Sequence, residues 1–183
     1  MRLLLLVLAV AVVGGFVVLL YNKLVHRRVR AESAWADIDV QLKRRHDLIP
    51  NLVETVKGYA GHEQRTFEEV ARLRSQAQQA KALPDRAKAE GELTQALRGL
   101  FAVAENYPQL RAAENFLALQ QSLSEIEEAL QNARRYYNAV VRDLNIAVQS
   151  FPGNLVAGMF GFQARAFFEL ESVTERQPAP VKF

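Results

Sequence analysis

Phe116 to Phe151 reads FLALQQSLSEIEEALQNARRYYNAVVRDLNIAVQSF. Within it Phe116, Leu119, Leu123, Ile126, Leu130, Ala133, Tyr137, Val140, Leu144, Ala147 and Phe151 alternate steps of three and four without a break. Such spacing puts every one of these side chains on a single face of an α-helix, whereas a strand would scatter them over both faces. A period of 3.5 held over five heptads predicts packing against neighbouring antiparallel helices at a shallow angle, about 20°. The quartet Phe151-Pro152-Gly153-Asn154 predicts the end of this helix.

The same spacing recurs upstream. Trp35, Ile38, Leu42, Arg45, Ile49, Leu52, Val56 and Tyr59 form one stripe, continued later by Val70, Leu73 and Ala77, with Arg45 as the single cation in it. Pro50 lacks a backbone donor and predicts a kink near residues 46–50, not necessarily a break. Leu83-Pro84-Asp85 reads as a turn; a second helix carries Leu93, Leu97, Leu100, Phe101 and Ala104 until Asn106-Tyr107-Pro108 interrupts it. A shorter helix is expected over Ala164 to Thr174. No useful run of alternating polarity suggests a strand, so the fold class is all-α. The expected architecture is an N-terminal single transmembrane helix followed by an elongated antiparallel four-helix bundle.

The apolar N-terminus supplies the membrane part. Leu3 to Tyr21 contains only apolar, glycine or aromatic residues. As a helix it spans about 28 Å, against a hydrocarbon core of about 30 Å. The run exceeds the h-region of a signal peptide, and no small-x-small cleavage pattern follows Tyr21, so a retained anchor is expected. Arg2 precedes it, and Lys23, Arg27, Arg28 and Arg30 follow it, which by the positive-inside rule places the following domain in the cytoplasm. These four cations either bind anionic headgroups or act only as a stop-transfer flank. The expected organisation is a transmembrane anchor at 1–22, a basic juxtamembrane segment at 23–30, a helical bundle at 31–175 and an extended tail at 176–183.

The pI of 9.3 comes from this membrane-proximal end. Beyond residue 30 the chain has 18 Lys/Arg against 20 Asp/Glu, which removes the basic face a nucleic-acid-binding domain needs. With no cysteine, disulfides, Cys-ligated zinc, iron–sulfur clusters and thiol chemistry are excluded. His62-Glu63 opens like a zinc-protease signature, but Arg65 and Thr66 follow where the second histidine belongs. Glu125, Glu127 and Glu128 have no Glu-x-x-His partner for a di-iron bundle. Phosphate loops and nucleophile elbows do not occur. The expectation is a protein without catalytic residues, cofactor or metal.

Longer motifs carry a resemblance. They are Ala34-Trp35-x-x-Ile38-Asp39-Val40-Gln41-Leu42-Lys43-Arg44-Arg45-x-Asp47-Leu48-Ile49-Pro50-Asn51-Leu52-Val53-Glu54, Val56-Lys57-Gly58-Tyr59-Ala60, Tyr107-Pro108-x-Leu110, Ala133-Arg134-Arg135-x-Tyr137-Asn138, Phe151-Pro152, Gly161-Phe162 and the ending Pro180-Val181-Lys182-Phe183. Together these resemble the LemA family over nearly the whole chain; Ala77 to Ala89 is the least distinctive stretch. The resemblance implies a bacterial single-pass protein of the inner (cytoplasmic) membrane with a helical bundle, and an association with membrane quality-control proteins, zinc metalloproteases among them. It supplies no catalytic residue.

Three groups of residues remain as candidate sites. Arg45, Asn51, Arg134, Asn138 and Asn145 are candidates for buried polar pairing, in which Arg45 meets a carboxylate or amide from another helix. A salt-bridged solvent face is the plainer reading of the charges around it. Lys23, Arg27, Arg28 and Arg30 are the membrane-surface candidates. The third group starts from the uncharged stretch Leu144 to Ala164, which is either a core corner or an exposed lip at Leu155, Val156, Met159 and Phe160 used for self-association or membrane contact. The tail, with Val181 and Phe183, is either a disordered end or a segment for strand addition. The function expected is a self-assembling, membrane-anchored scaffold or adaptor, a homo-oligomer with a possible membrane-protein partner and no nucleic acid. The alternatives are a regulatory partner of a membrane quality-control protease and an enzyme with an unrecognised site.

Overall fold

A computed structural model describes residues 1–169. Among them it has helices α1 (Arg2–Lys57), α2 (Gln64–Gln79), α3 (Leu83–Glu105), α4 (Pro108–Arg111), α5 (Glu114–Gln149) and α6 (Gly153–Phe160), and no strand. The all-α class and the long apolar N-terminal helix are therefore as the sequence implies. The apolar window of α1 has a mean hydropathy of 3.2 and is unburied by the rest of the described chain, as a lipid-facing span must be.

Three expectations need correction. The stripe from Trp35 to Ala77 is not one helix: α1 stops at Lys57, before Gly58 and Gly61, and α2 starts at Gln64. Tyr59 accordingly leaves the stripe and is exposed, while Ala60 is buried in its place. Pro84 does not mark a turn but sits in the first turn of α3, where a missing donor costs nothing. The short helix expected from Ala164 is absent over 164–169; residues 170–174 of that expectation lie outside the described residues. The helix that does form, α6, lies just earlier, between the chain reversal at Gly153 and the left-handed Gly161 (φ 71°). A β-carbon at Gly153 would collide with the carbonyl oxygen of Ala147, so only glycine allows α6 to turn this closely off α5.

The chain divides into two compact units. One comprises 1–39 and 132–167, and the other 40–131 with residues 168 and 169. In the second unit Ile49, Leu52 and Val56 of α1, Phe67, Val70 and Leu73 of α2, Leu93, Leu97 and Leu100 of α3, Leu110 of α4, and Phe116 and Leu123 of α5 make one apolar core. In the first, Leu24 of α1, Val156 and Ala157 of α6 and Phe162 form a core flanked by Val17, Leu20, Tyr21, Val25, Ala147 and Val148. The edge-on rings of Trp35 and Tyr137, 5.4 Å apart, join α1 to α5 within the same unit.

Candidate functional site

Arg45 stands in the apolar stripe of α1 between Leu42 and Ile49, so the helix turns it inward and seals it completely from solvent. Its guanidinium is shared among three partners. Nη1 donates to Glu90 Oε2 at 2.9 Å, Nη2 donates to Thr94 Oγ1 at 2.7 Å, and Nε lies 2.8 Å from Glu127 Oε1 in an ion pair. Glu90 is equally buried, and its other carboxylate oxygen accepts from His46 Nε2 at 2.9 Å. Thr94 closes the circuit by donating to the Glu90 carbonyl oxygen at 2.9 Å. Three helices, α1, α3 and α5, thus meet at one guanidinium. A slip of one helix by a turn, about 5.4 Å, would strand at least one buried charge, which makes the cluster a register pin.

A second device lies beside it. The helix runs through Pro50, but proline has no N–H to give the carbonyl four residues back, which belongs to His46. That freed oxygen accepts from Arg74 Nε of α2 at 2.7 Å. The proline therefore exposes a main-chain acceptor on α1 and α2 docks on it. Apart from the Thr94 to Glu90 carbonyl bond within α3, the contacts of this constellation run between helices, and among the described residues no group of three metal-ligating side chains is assembled.

The remaining sequence candidates fall in different places. Asn51 is exposed and takes no part in buried pairing, because it lies between Ile49 and Leu52 off the buried stripe; its carbonyl accepts from the Thr55 hydroxyl at 2.8 Å. Arg134 and Asn138 are half-buried on α5. Asn145 clamps a distant backbone: its Nδ2 donates to the Arg165 carbonyl and its Oδ1 accepts from the Arg165 N–H, both at 2.8 Å. That clamp holds Arg165 in non-helical backbone, and Arg165 also reaches Glu32 at 2.6 Å. Tyr137 donates its hydroxyl to the Ala166 carbonyl at 3.1 Å, and burial pushes its pKa up, opposed by the nearby Arg165 charge.

Three of the four basic candidates after the span, Arg27, Arg28 and Arg30, contact other parts of the protein. Arg27 Nη1 donates to the Asp143 carbonyl at 2.8 Å, the Arg28 guanidinium lies 5.2 Å from the centre of the Phe162 ring, and Arg30 Nε approaches the Tyr136 hydroxyl at 3.0 Å. The Tyr136 contact raises the Arg30 pKa. Lys23 is exposed. Of the apolar lip, Val156 is buried, whereas Leu155, Met159 and Phe160 are exposed; Val181 and Phe183 lie outside the described residues.

Sequence reading did not reach Glu90, Thr94, His46 or Arg74, although two signals pointed there. Glu90 lies three residues before Leu93 and so completes the stripe Leu93, Leu97, Leu100, Ala104 with a carboxylate, the counterpart of Arg45 in its own stripe. Pro50, likewise, implied an acceptor at the His46 carbonyl in need of a donor from elsewhere.

An N-terminal helix fit to cross a bilayer, followed by helices held in register by a sealed ion pair, defines a membrane-associated all-α protein. The chain belongs to the LemA family, whose profile matches residues 34–183. It is similar to magnetosome proteins MamQ 1 and MamQ 2 of Paramagnetospirillum magneticum, each 26% identical over 194 residues that cover 90% of this chain and 71% of the relative. It is also similar to magnetosome protein MamQ of Magnetospirillum gryphiswaldense, 24% identical over 174 residues, 81% of this chain and 64% of that protein.

Proposed function

We propose that this chain is a single-pass scaffold or adaptor whose helical bundle self-assembles and orders membrane proteins or the membrane itself, without chemistry of its own. The observation that carries the reading is the use made of buried charge. Arg45, His46 and Glu90 are engaged with one another between helices, away from solvent, whereas a catalytic group has to face a substrate. The similarity to magnetosome proteins supports a place in membrane organisation. The Lys/Arg excess just after the span supports a cytoplasmic bundle on a bacterial inner membrane.

Two measurements test this. The mass of the full-length protein in detergent, by light scattering, is compared with that of a chain starting at Arg30. A defined assembly in both is the expected result, and monomers in both would refute self-assembly. For sidedness, Glu54→Cys in this cysteine-free chain is treated with a membrane-impermeant maleimide. Labelling in inverted inner-membrane vesicles and protection in intact cells is expected; the converse would refute a cytoplasmic bundle.

A further inference from the structure

Helix α6 breaks the usual pattern of a surface helix. Such a helix buries one apolar stripe and turns a polar one to water; one that is apolar all round is covered on all sides or lies in lipid. Val156 and Ala157 face the core with Leu24, yet the outward side is apolar as well. Leu155 is 59% exposed, Met159 74% and Phe160 52%, and Phe151 just before the helix is 79% exposed. Leu155 and Met159 lie four residues apart, with Phe151 at the same interval before them, and no charged residue occurs from Leu144 through Ala164.

Position decides what covers this face. The core of α6 packs against Val17, Leu20 and Tyr21, the last turn of the apolar span, and against Val25 just beyond it. Tyr21 contacts Phe160 edge-on at 4.8 Å and Phe162 at 5.7 Å. The apolar run from Leu3 to Tyr21 covers about 28 Å at about 1.5 Å per residue, nearly the whole hydrocarbon thickness of about 30 Å, so the edge of the hydrocarbon lies close to Tyr21. Leu24 lies only about 4.5 Å further along the axis. Hence α6 is docked at the depth where acyl chains give way to headgroups, the level at which aromatic side chains concentrate in membrane proteins. Charge resumes with Lys23 at that edge and continues beyond it with Arg27 and Arg28 on α1; Arg27 reaches the Asp143 carbonyl and Arg165 reaches Glu32, so the two ends of the neutral stretch lie on that far side.

From this geometry we infer that α6 is a second membrane contact, an interfacial helix whose Phe151, Leu155, Met159 and Phe160 side chains enter the same leaflet that the span leaves. The occupant of the apolar face is the phospholipid bilayer. The contact fixes the tilt and rotation of the unit that carries the span and α6, which a lone span leaves free. The inference rests on the span and stands whether or not the bundle self-assembles.

The test uses the full chain reconstituted in phosphatidylethanolamine/phosphatidylglycerol vesicles. Leu155→Cys and Met159→Cys are each labelled with an environment-sensitive NBD dye; both positions are exposed, so the fold tolerates them. Quenching by a phospholipid carrying a shallow acyl-chain nitroxide is compared with quenching by aqueous iodide. The expected result is blue-shifted emission, quenched several-fold more by the lipid nitroxide than in nitroxide-free vesicles, with little effect of iodide. Water-like emission quenched by iodide would overturn the inference. Blue-shifted emission insensitive to both quenchers would also overturn it, because the face would then be covered by a second copy of the chain.

Discussion

Removing Glu90 should unsettle the second unit more than any comparable loss of one carboxylate, and restoring apolar balance should reverse most of the damage. Glu90→Leu leaves the sealed Arg45 guanidinium with Thr94 and with Glu127, whose side chain is 35% exposed and therefore a screened, weaker partner. It also leaves His46 without its acceptor. At an effective dielectric of about 20, charges about 4 Å apart attract by about 4 kcal/mol, while desolvation costs several kcal/mol per ion. Breaking one side of a sealed pair forfeits the attraction and keeps the desolvation, a loss of about 3–5 kcal/mol. At about 2–4 °C per kcal/mol for a chain of this size, Tm falls by about 6–20 °C. Arg45→Met should lose a similar amount. The double variant Arg45→Met/Glu90→Leu removes both charges and both desolvation penalties, and should lie within about 2 kcal/mol of the parent protein. Far-UV circular dichroism of urea and thermal unfolding in mild detergent, assembled as a double-mutant cycle, reads the coupling directly. Losses that add to within about 0.5 kcal/mol would refute the pairing, as would single variants costing less than about 1 kcal/mol.

The proline device gives a second cycle. Arg74→Met should cost about 1–3 kcal/mol in the parent chain, where the His46 carbonyl loses its donor, but much less beside Pro50→Ala, whose restored N–H satisfies that oxygen from within α1; equal costs in both backgrounds in urea unfolding would reject the link. Asn145→Ala removes both bonds to the Arg165 backbone and should cost about 1–3 kcal/mol, with faster amide exchange at Arg165 as the specific readout. Tyr137 has a folded pKa raised by burial, so the unfolded chain releases its proton first, near the ordinary tyrosine value of about 10, and stability is lost as pH rises from there through the folded value. Tyr137→Phe should give up about 1 kcal/mol with the Ala166 hydrogen bond at neutral pH and show a shallower alkaline decline; parallel stability curves above pH 10 would count against this assignment.

Periodicity alone determined that the chain is helical, that α5 is long and continuous, and that an apolar segment precedes a charged helical domain. Those features follow from the order of residues along one helix, where side-chain direction is fixed by position. Sequence also marked Arg45 as misplaced in an apolar stripe, because a cation there must find a partner. It did not mark where α1 ends, since the three-four spacing carries across Lys57 to Gln64 although the helix stops before Gly58. Nor did it separate α6 from the stretch after it. The Asn145 side chain spends its hydrogen bonds on the Arg165 backbone, twenty residues away, and keeps that segment out of a helix. Partners lay beyond the sequence for a related reason. Glu90, Glu127, Thr94 and Arg74 are 28 to 82 residues from the groups on α1 that they hold. Which of many possible carboxylates or donors meets a given cation depends on the packing of three helices, and only the folded chain brings them within 3 Å.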